Sequence, residues 1–345
     1  MLYVTKAALD TVLGANFFRQ DLSPILTLLS TRPRPVSQFC EQVKAKQTLH
    51  EWVEQGRIGV AGAGGAAIPT YSDGQLPTTA AKAPLKPNNT TCFAGLTAQV
   101  TDLMAAVWTG GGTWNLATGE EVRLLTEAMD LETELATLDT LDYIEWLHIS
   151  GDKTNPQGFA GGQCDGLIKW IGANGVTVAT GGTSGSPATF SENMVKKGAR
   201  TAAENYATVL ADTMLVPPEL IPDVNAFVGS SASRPVTITI DGKDPKAIQQ
   251  LVGGIGLGFY FNGFSSVEIK LEPNLSPLFN PYLVNPAVIM YNRASVKQAN
   301  LIPFGATPIA KTDTSMKKMV NCNFTQEHRA GIHAVLIPNV ISSIT

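Results

Sequence analysis

The sequence predicts an α+β fold organised around one long helix, and three observations indicate it. Residues 118–148 carry apolar side chains at steps of three and four, which is the spacing of one helix face. Residues 59–91, which precede this helix, show no apolar periodicity and consist largely of Gly, Ala, Pro and Thr. Beyond residue 150, short alternating strand patterns are mixed with further helices.

The first fifty residues are predicted to be a partly helical arm. Apolar stretches at 7–17 and 22–29 are followed by Thr31-Arg-Pro-Arg-Pro35, whose prolines interrupt a helix. His50-Glu-Trp52 then places aromatic anchors at the start of the irregular stretch. An irregular stretch of about thirty residues is unusual inside a compact domain. We therefore expect it to be functional, disordered, or an extended hairpin ordered by a partner.

The long helix has a well-marked start and end. Thr118 and Glu121 have the spacing of a capping box, and Gly151 follows as a stop. The residues expected on its apolar face are Leu124, Ala128, Leu131, Leu135, Leu138 and Leu141. A helix of this length spans about 46 Å, which is more than the width of a small domain. Such a helix is typical of a beam in an assembly rather than of a catalytic pocket wall.

The remainder of the sequence predicts a mixed α+β region that ends in strands. Predicted strands lie at 176–178, 236–240, 267–271, 287–291, 319–324 and 332–337, and predicted helices at 191–212 and 246–252. Asp244 and Pro245 mark the start of the shorter helix, and Gly253 marks its end.

Charge is scarce and unevenly distributed. Charged residues make up 16% of the chain, against about 25% in an ordinary soluble protein. A low charge fraction is expected where neighbouring subunits cover the surface, although a β-rich globular protein is the alternative. The net charge of −4 gives no strong attraction to nucleic acid. Residues 118–148 contain nine acids and one Arg, whereas both ends of the chain are basic. The basic ends could pair with the acidic helix of another subunit, or both could simply be solvated.

Cysteine usage and hydropathy indicate the cellular compartment in which the protein is made. The four cysteines, Cys40, Cys92, Cys164 and Cys322, have no close spacing, which argues against a disulfide scaffold and a cysteine zinc site. We therefore expect synthesis in a reducing cytoplasm. No apolar run of eighteen residues is present, and the N-terminus does not have the pattern of a signal peptide.

Two patterns that suggest cofactor or metal binding are better explained otherwise. Gly62-Ala-Gly64-Gly-Ala-Ala67 fits a dinucleotide fingerprint, but Pro69 and Pro77 exclude the helix that this chemistry requires. Glu127, Asp130 and Glu134 share one helix face and could hold a divalent cation, yet a solvated acidic face is the simpler interpretation. We predict neither a cofactor nor a metal.

Two residues are candidates for a catalytic centre. Cys164 lies in the glycine-rich segment 161–167, which could present a nucleophile, but no motif supplies a base. His328 stands between Glu327 and Arg329, where a solvated turn is expected. An intracellular α+β enzyme centred on Cys164 or His328 is the rival hypothesis, and we predict no enzymatic activity.

The order of parts resembles that of HK97-type major capsid proteins of tailed bacteriophages, in particular the SU10-like branch. The similar stretches are His50-Glu-Trp52, the helix at 118–148 with Ser150-Gly-Asp152, the Gly162–Leu167 segment, Leu301-Ile-Pro303, Pro308–Lys311 and His333–Ile337. Cys164, where relatives often have Phe, and the glycine-rich run 59–67 depart from the family pattern.

The resemblance implies an HK97-like division of the chain. It assigns 1–50 to an N-terminal arm, 51–100 to an E-loop that lies over a neighbouring subunit, and 101–154 to a peripheral domain with the spine helix. Residues 155–285 form an axial domain, and 286–345 supply returning strands. Residues expected to contact neighbours are Arg32, Arg34, Trp52, Arg57, Tyr71, Asp73, Lys82 and Lys86.

The function implied by the resemblance is structural. Hexamers and pentamers of the chain would form an icosahedral shell that encloses double-stranded DNA without reading its sequence. Its location would be the virion, with scaffold, decoration and portal proteins as candidate partners and no membrane. An encapsulin-like nanocompartment shell is the alternative with the same fold. No Lys–Asn cross-link pair can be placed, so covalent cross-linking of that kind is not predicted.

Overall fold

The structure is a computed structural model, and it divides into two compact units. It describes residues 32–54, 85–101, 120–154, 162–204, 210–230, 259–261, 264–313, 315–329 and 333–343. The smaller unit comprises residues 1–32, 95–140 and 305–320, and the larger comprises 33–94, 141–304 and 321–345.

Helices and strands are mixed up to residue 230, and the described elements after it are strands and short 3-10 helices. The first elements are α1 (Pro35–Phe39), β1 (Glu41–Lys44), β2 (Leu49–Glu51), β3 (Asn88–Thr90), β4 (Cys92–Thr101) and α2 (Glu120–Ser150). They are followed by α3 (Leu167–Asn174), β5 (Val176–Thr177), β6 (Ala188–Thr189), α4 (Glu192–Glu204), β7 (Thr213–Val216) and α5 (Ile221–Ser230). The last elements are β8 (Phe259–Phe261), β9 (Ser266–Leu271), β10 (Val288–Tyr291), β11 (Val296–Asp313), β12 (Ser315–His328), β13 (Val335–Ile337) and β14 (Val340–Ile341).

A six-stranded mixed sheet forms the centre of the larger unit, in the order β5-β13-β10-β7-β9-β8. Alternate residues of its inner strands lie in two different apolar clusters. Val288 and Met290 of β10 pack with α4, whereas Ile289 and Tyr291 pack with α3 and with Ile149 at the end of α2. Because both faces of the sheet are covered at its centre, β7, β10 and β13 are fully buried and mostly continuous apolar runs rather than alternating ones.

Helix α4 approaches this sheet closely because it carries a glycine at the contact. A Cβ atom at Gly198 would lie 2.5 Å from Val335 Cγ1 and 2.9 Å from Val178 Cγ2. Any larger side chain would push the helix away from the sheet and open a void, which is costly in a close-packed core.

A four-stranded sheet has the order β1-β11-β12-β4, and β1 runs parallel to β11 from the pair Glu41–Lys297 to the pair Lys44–Asn300. The smaller unit has its own apolar cluster, formed by Ala98, Val100, Met129, Ala136 and Val320. Lys318 and Asp130 form an ion pair at 2.9 Å in this unit.

The long helix is confirmed at Glu120–Ser150, but the described side chains of its predicted apolar face are only half-buried. Met129, Ala136 and Thr140 are buried, whereas Leu135 and Leu138 are half-buried. From Ile144 to Ile149 every residue is buried, because the helix there runs through the larger unit rather than along its surface. Gly151 ends the helix as predicted, with its N–H donating to the Leu147 carbonyl at 3.0 Å.

Most predicted elements within the described residues are confirmed. Strands β5, β9, β10 and β13 lie at the predicted places, and β12 contains the predicted strand 319–324 in a longer one. The predicted helix 191–212 is shorter in the structure, because residues 211–212 are extended and lead into β7. The arm helices before residue 32, the capping residue Thr118, the strand at 236–240 and the helix at 246–252 lie outside the described residues.

Candidate assembly site

The N-terminal segment is fastened to the larger unit by a buried carboxylate. Glu145 accepts hydrogen bonds from the backbone N–H groups of Val36 and Ser37, each at 2.7 Å. These two groups are unpaired donors at the start of α1, where a carboxylate is also favoured by the helix dipole. The Arg34 side chain lies 3.6 Å from Asp142 on the same face of α2. Charge-assisted bonds therefore fix residues 34–37 in the chain's own interior.

A short antiparallel ladder forms the stem of the segment 55–84. Strands β2 and β3 pair Leu49 with Thr90 and Glu51 with Asn88. Beyond them, the backbone N–H groups of Glu54 and Leu85 donate to each other's carbonyls at 2.9 and 2.7 Å. Residues 54 and 85, which flank the segment 55–84, thus lie side by side.

The stem is anchored by an aromatic stack. The Trp52 ring lies 5.3 Å from that of Trp170 on α3, and Trp170 stacks on His328 at 5.2 Å. Only 6% of Trp52 is exposed. His50, two residues earlier, bonds to the Glu327 carboxylate at 3.1 Å. Sequence reasoning placed Trp52 among the contacts to neighbouring subunits, and in this structure its ring packs within its own chain.

The candidate catalytic residues are buried and electrically neutral. Cys164 is fully buried, and the hydrogen bond with Cys92, together with burial, raises the pKa of its thiol well above the usual value. Burial and, to a smaller extent, nearby His148 lower the pKa of His328 to about 3. Catalysis requires a thiolate that a substrate can reach, whereas the buried sulfur of Cys164 has another cysteine sulfur as its neighbour at 3.4 Å.

The predicted solvated turn at Glu327 and His328 is wrong. Both residues are buried at the end of β12, where Glu327 forms ion pairs with His50 and Arg329. The run of polar residues from Glu327 to Arg329 resembles a turn in the sequence. In the fold, the Glu327 carboxylate contacts two partners and the His328 ring stacks on Trp170.

Strand β11 carries an apolar surface that is exposed in the described part of the structure. Every residue from 306 to 310 is exposed, as are Ile302 and Phe304 earlier in the strand. Successive side chains of a strand point to opposite faces, so neither face of this stretch is buried. Met316 and Met319 of β12 are also exposed. We call residues 302–310 the apolar ribbon.

The loop of residues 278–284 forms a second exposed apolar surface, and buried hydrogen bonds hold it in place. The buried side chain of Asn280 donates to Ser150 Oγ at 2.6 Å and to the Asn274 carbonyl at 3.0 Å, and accepts from Trp146 Nε1 at 3.2 Å. Above it, 77% of Leu278 and 68% of Val284 are exposed. A fixed loop that presents apolar side chains is suited to contact another protein surface, because little ordering is needed on binding.

No group of His, Cys, Asp and Glu suited to a metal ion occurs among the described residues. Asp130 instead pairs with Lys318, and the side chain of Glu127 lies outside the description. Within the same residues, no helix is long and apolar enough to cross a membrane.

Solved structures of viral shells have the same fold as this chain. A chain of Mycobacterium phage Bobi superposes with a TM-score of 0.53 at 11% identity, covering 98% of this chain and 99% of that one. The capsid of Myoviridae phage XM1 gives 0.53 at 11% identity over 93% and 97%. An encapsulin complex from Synechococcus elongatus gives 0.51 at 10% over 99% and 97%. Fold alone therefore does not separate a virus capsid from a nanocompartment shell.

The family model of the SU10 major capsid protein matches residues 4–340, and this match distinguishes a virus capsid from a nanocompartment shell. The chain belongs to the SU10 major capsid protein family. Among curated protein sequences, none is significantly similar to it. The α+β, HK97-like fold and the capsid function expected from the sequence are thus confirmed. The protein is a structural subunit of a homo-oligomeric bacteriophage capsid, and its place is the virion.

The structure describes four of the eight residues expected to contact neighbouring capsid subunits. Arg32 and Lys86 are exposed, Arg34 is half-buried beside Asp142, and Trp52 is buried. Arg57, Tyr71, Asp73 and Lys82 lie outside the described residues. Sequence reasoning missed the apolar ribbon and the loop 278–284, although Leu301-Ile-Pro-Phe304 and Pro277-Leu-Phe279 carry unpatterned apolar residues that could have indicated them.

Proposed function

We propose that hexamers and pentamers of this capsid protein close into an icosahedral shell around packaged double-stranded DNA. The observation that carries the proposal is the apolar ribbon, which is exposed on both faces of β11. Monomeric proteins rarely leave large contiguous apolar surface in water. Covering it with another subunit would gain about 25 cal/mol for each Å² of apolar area removed from water.

The two exposed surfaces suit the contacts of a shell. Subunits arranged in rings meet head to tail, so each contact joins two different patches of the same protein. The ribbon around Ile309 and the loop around Leu278 are separate stretches of the chain that could serve as such patches. Interfaces of this kind gain cohesion from buried apolar area, whereas exposed ion pairs add little.

The domain division follows from the same family membership. We assign 1–50 to the N-terminal arm, 51–100 to the E-loop, 101–154 to the peripheral domain, 155–285 to the axial domain and 286–345 to the returning strands. The pairing of Glu54 with Leu85 supports the E-loop assignment, because it gives residues 55–84 a two-stranded stem. We further infer that Arg32, Arg34, Trp52, Arg57, Tyr71, Asp73, Lys82 and Lys86 contact neighbouring subunits, with Trp52 acting through the stem that it anchors.

The charge of the protein is compatible with containing DNA. A shell must enclose a polyanion without binding it tightly. With a net charge of −4, the protein has no overall electrostatic attraction to DNA, and it gains no affinity from the release of DNA counterions. We propose no catalytic role, since the buried thiol of Cys164 and the buried ring of His328 are both uncharged near neutral pH.

Particle analysis tests the proposal. The chain expressed alone is examined by sedimentation velocity and negative-stain microscopy, and closed particles with five-fold and six-fold capsomers are expected. Closed particles would also show that no scaffold protein is needed. For particles from the phage-producing host, nuclease treatment followed by DNA extraction should recover protected double-stranded DNA. A cargo enzyme in place of protected DNA would identify a nanocompartment instead.

A further inference from the structure

Two buried cysteines from distant parts of the chain lie side by side in the larger unit. Cys92 Sγ lies 3.4 Å from Cys164 Sγ, and the two residues are 72 positions apart. A disulfide has an S–S length of about 2.05 Å, so the sulfur atoms need to approach by only about 1.4 Å. We propose that Cys92 and Cys164 are an oxidation site, which a peroxide converts into an intrachain disulfide between β4 and the segment before α3.

Hydrogen bonds on both sides hold the two sulfur atoms in place. The Asn89 side chain donates to the Asp165 carbonyl at 3.0 Å and accepts the Asp165 N–H at 2.9 Å. Thr90 Oγ1 donates to the Gln163 carbonyl at 3.3 Å. Segments 89–92 and 163–165 therefore run together in a fixed register, and the sulfur contact lies within it.

Tight packing adds to this constraint. A Cβ atom at Gly151 would overlap the Cys164 carbonyl oxygen, and one at Gly166 would lie 2.7 Å from the Leu147 carbonyl oxygen. The segment that carries Cys164 thus lies directly on the end of α2, with no room for a larger residue at either glycine. The cysteines are brought together by the fold and do not depend on a flexible loop.

The chemistry balances with hydrogen peroxide as the oxidant. One thiol loses its proton and its sulfur attacks a peroxide oxygen, which gives a sulfenic acid and hydroxide, and the hydroxide takes up the proton. The second sulfur then displaces hydroxide from the sulfenic acid, and this hydroxide takes the second proton. The sum is two thiols and one peroxide giving one disulfide and two waters. A small oxidant is required, since Cys92 and Cys164 are buried.

The Cys92–Cys164 pair is expected to be reduced inside the cell and oxidised outside it. Burial keeps the pair as thiols in a reducing cytoplasm, where disulfides do not persist. Outside the cell the bond would tie the base of the E-loop stem to the segment that begins α3. A cross-link that closes a long loop stabilises a protein more than one that closes a short loop. The bond is therefore expected to raise the thermal midpoint of the protein by several degrees.

The neighbouring Cys322 provides a matched control. It lies in the same apolar cluster as Cys92 and Cys164, and burial raises the pKa of its thiol to about 12. Nearby Cys92 also raises this pKa, but among the described residues the sulfur of Cys92 hydrogen-bonds to Cys164 and to the Phe324 carbonyl rather than to Cys322. A Cys322→Ser variant should consequently form the same disulfide as the natural protein.

Peptide mapping of the full chain tests the proposal. Protein treated with hydrogen peroxide at mildly alkaline pH is denatured, alkylated and digested without reductant. We expect a cross-linked peptide containing Cys92 and Cys164, two alkylated cysteines of the four in the chain, and a higher thermal midpoint that reductant reverses. Cys164→Ala should give no such cross-link and no peroxide-dependent shift. Four alkylated cysteines, a bond from Cys92 to Cys322, or sulfinic acid at Cys164 would each overturn the proposal.

Discussion

The carboxylate of Glu145, in the middle of the larger unit's core, lies 2.7 Å from the backbone nitrogen of Val36. Its second oxygen accepts the next N–H along the chain, from Ser37. One side chain of the long helix therefore satisfies two N–H groups in the first turn of α1 and holds that turn against α2.

Glu145→Gln should weaken this attachment. The amide retains one acceptor oxygen but replaces the other with a donor, so one buried N–H loses its partner. We expect a loss of about 2 kcal/mol in the free energy of unfolding, which is the usual value for a hydrogen bond to a charged group. Equilibrium urea unfolding of unassembled protein measures it, and hydrogen exchange at Val36 and Ser37 should become faster. Glu134→Gln, at an exposed position of the same helix, is the control. Equal stability of both variants would refute the role of Glu145.

Glu272 should make the protein less stable as pH rises. Burial raises the pKa of its carboxyl well above the usual value, and the nearby Glu145 carboxylate raises it further. In the window between the usual carboxyl pKa and the raised one, the folded protein holds a proton that the unfolded chain has lost. Stability from this group is therefore complete below the window and is lost as pH increases through it. Denaturant titrations over this range should show the decline, and Glu272→Gln should flatten it. An unchanged slope in the variant would exclude Glu272 as its source.

Acid should destabilise the protein through His328. Burial lowers the pKa of the ring from 6.5 to about 3. Between these values the unfolded chain binds a proton that the folded protein does not, so stability is retained above pH 6.5 and is lost as pH falls. One such group gives a slope of about 1.4 kcal/mol per pH unit. His328→Asn removes the titrating ring and loses the stacking on Trp170, so it should be less stable at neutral pH but less sensitive to acid. An equally steep acid slope in His328→Asn would contradict this account.

Ile309→Asp should abolish or strongly weaken assembly and leave the fold intact. The side chain is 40% exposed on the apolar ribbon, so a charge there meets water in the free subunit. In a contact with a neighbour the same charge would be buried without a partner, at a cost of several kcal/mol. Circular dichroism and thermal unfolding check the fold, and sedimentation velocity checks assembly. Ile309→Leu keeps the apolar surface and should assemble normally. Normal shells from Ile309→Asp would show that the ribbon is not an interface.

Local signals in the sequence predicted structural elements, whereas features that depend on distant contacts could not be predicted. The long helix could be predicted because its turn signals and apolar spacing are local, and it lies within two residues of its predicted ends. Strand β11 could not, because Pro303, Gly305 and Pro308 resemble chain breakers and a strand exposed on both faces has no alternating pattern. His328 was misplaced because burial among Trp170 and the end of β12 depends on contacts that are distant in sequence. The apolar surfaces of the candidate site were missed for the same reason, since exposure is a property of the folded chain.

Loop replacement tests the central claim, that this capsid protein is held in its shell by parts that reach neighbouring subunits. In the variant, a short Gly-Ser linker replaces residues 57–82 and leaves the Glu54–Leu85 bridge to close the stem. Sedimentation velocity with negative-stain imaging then compares it with the full chain. We predict closed shells from the full chain and a folded, slowly sedimenting species from the variant. Shells of normal size from the variant would contradict the account.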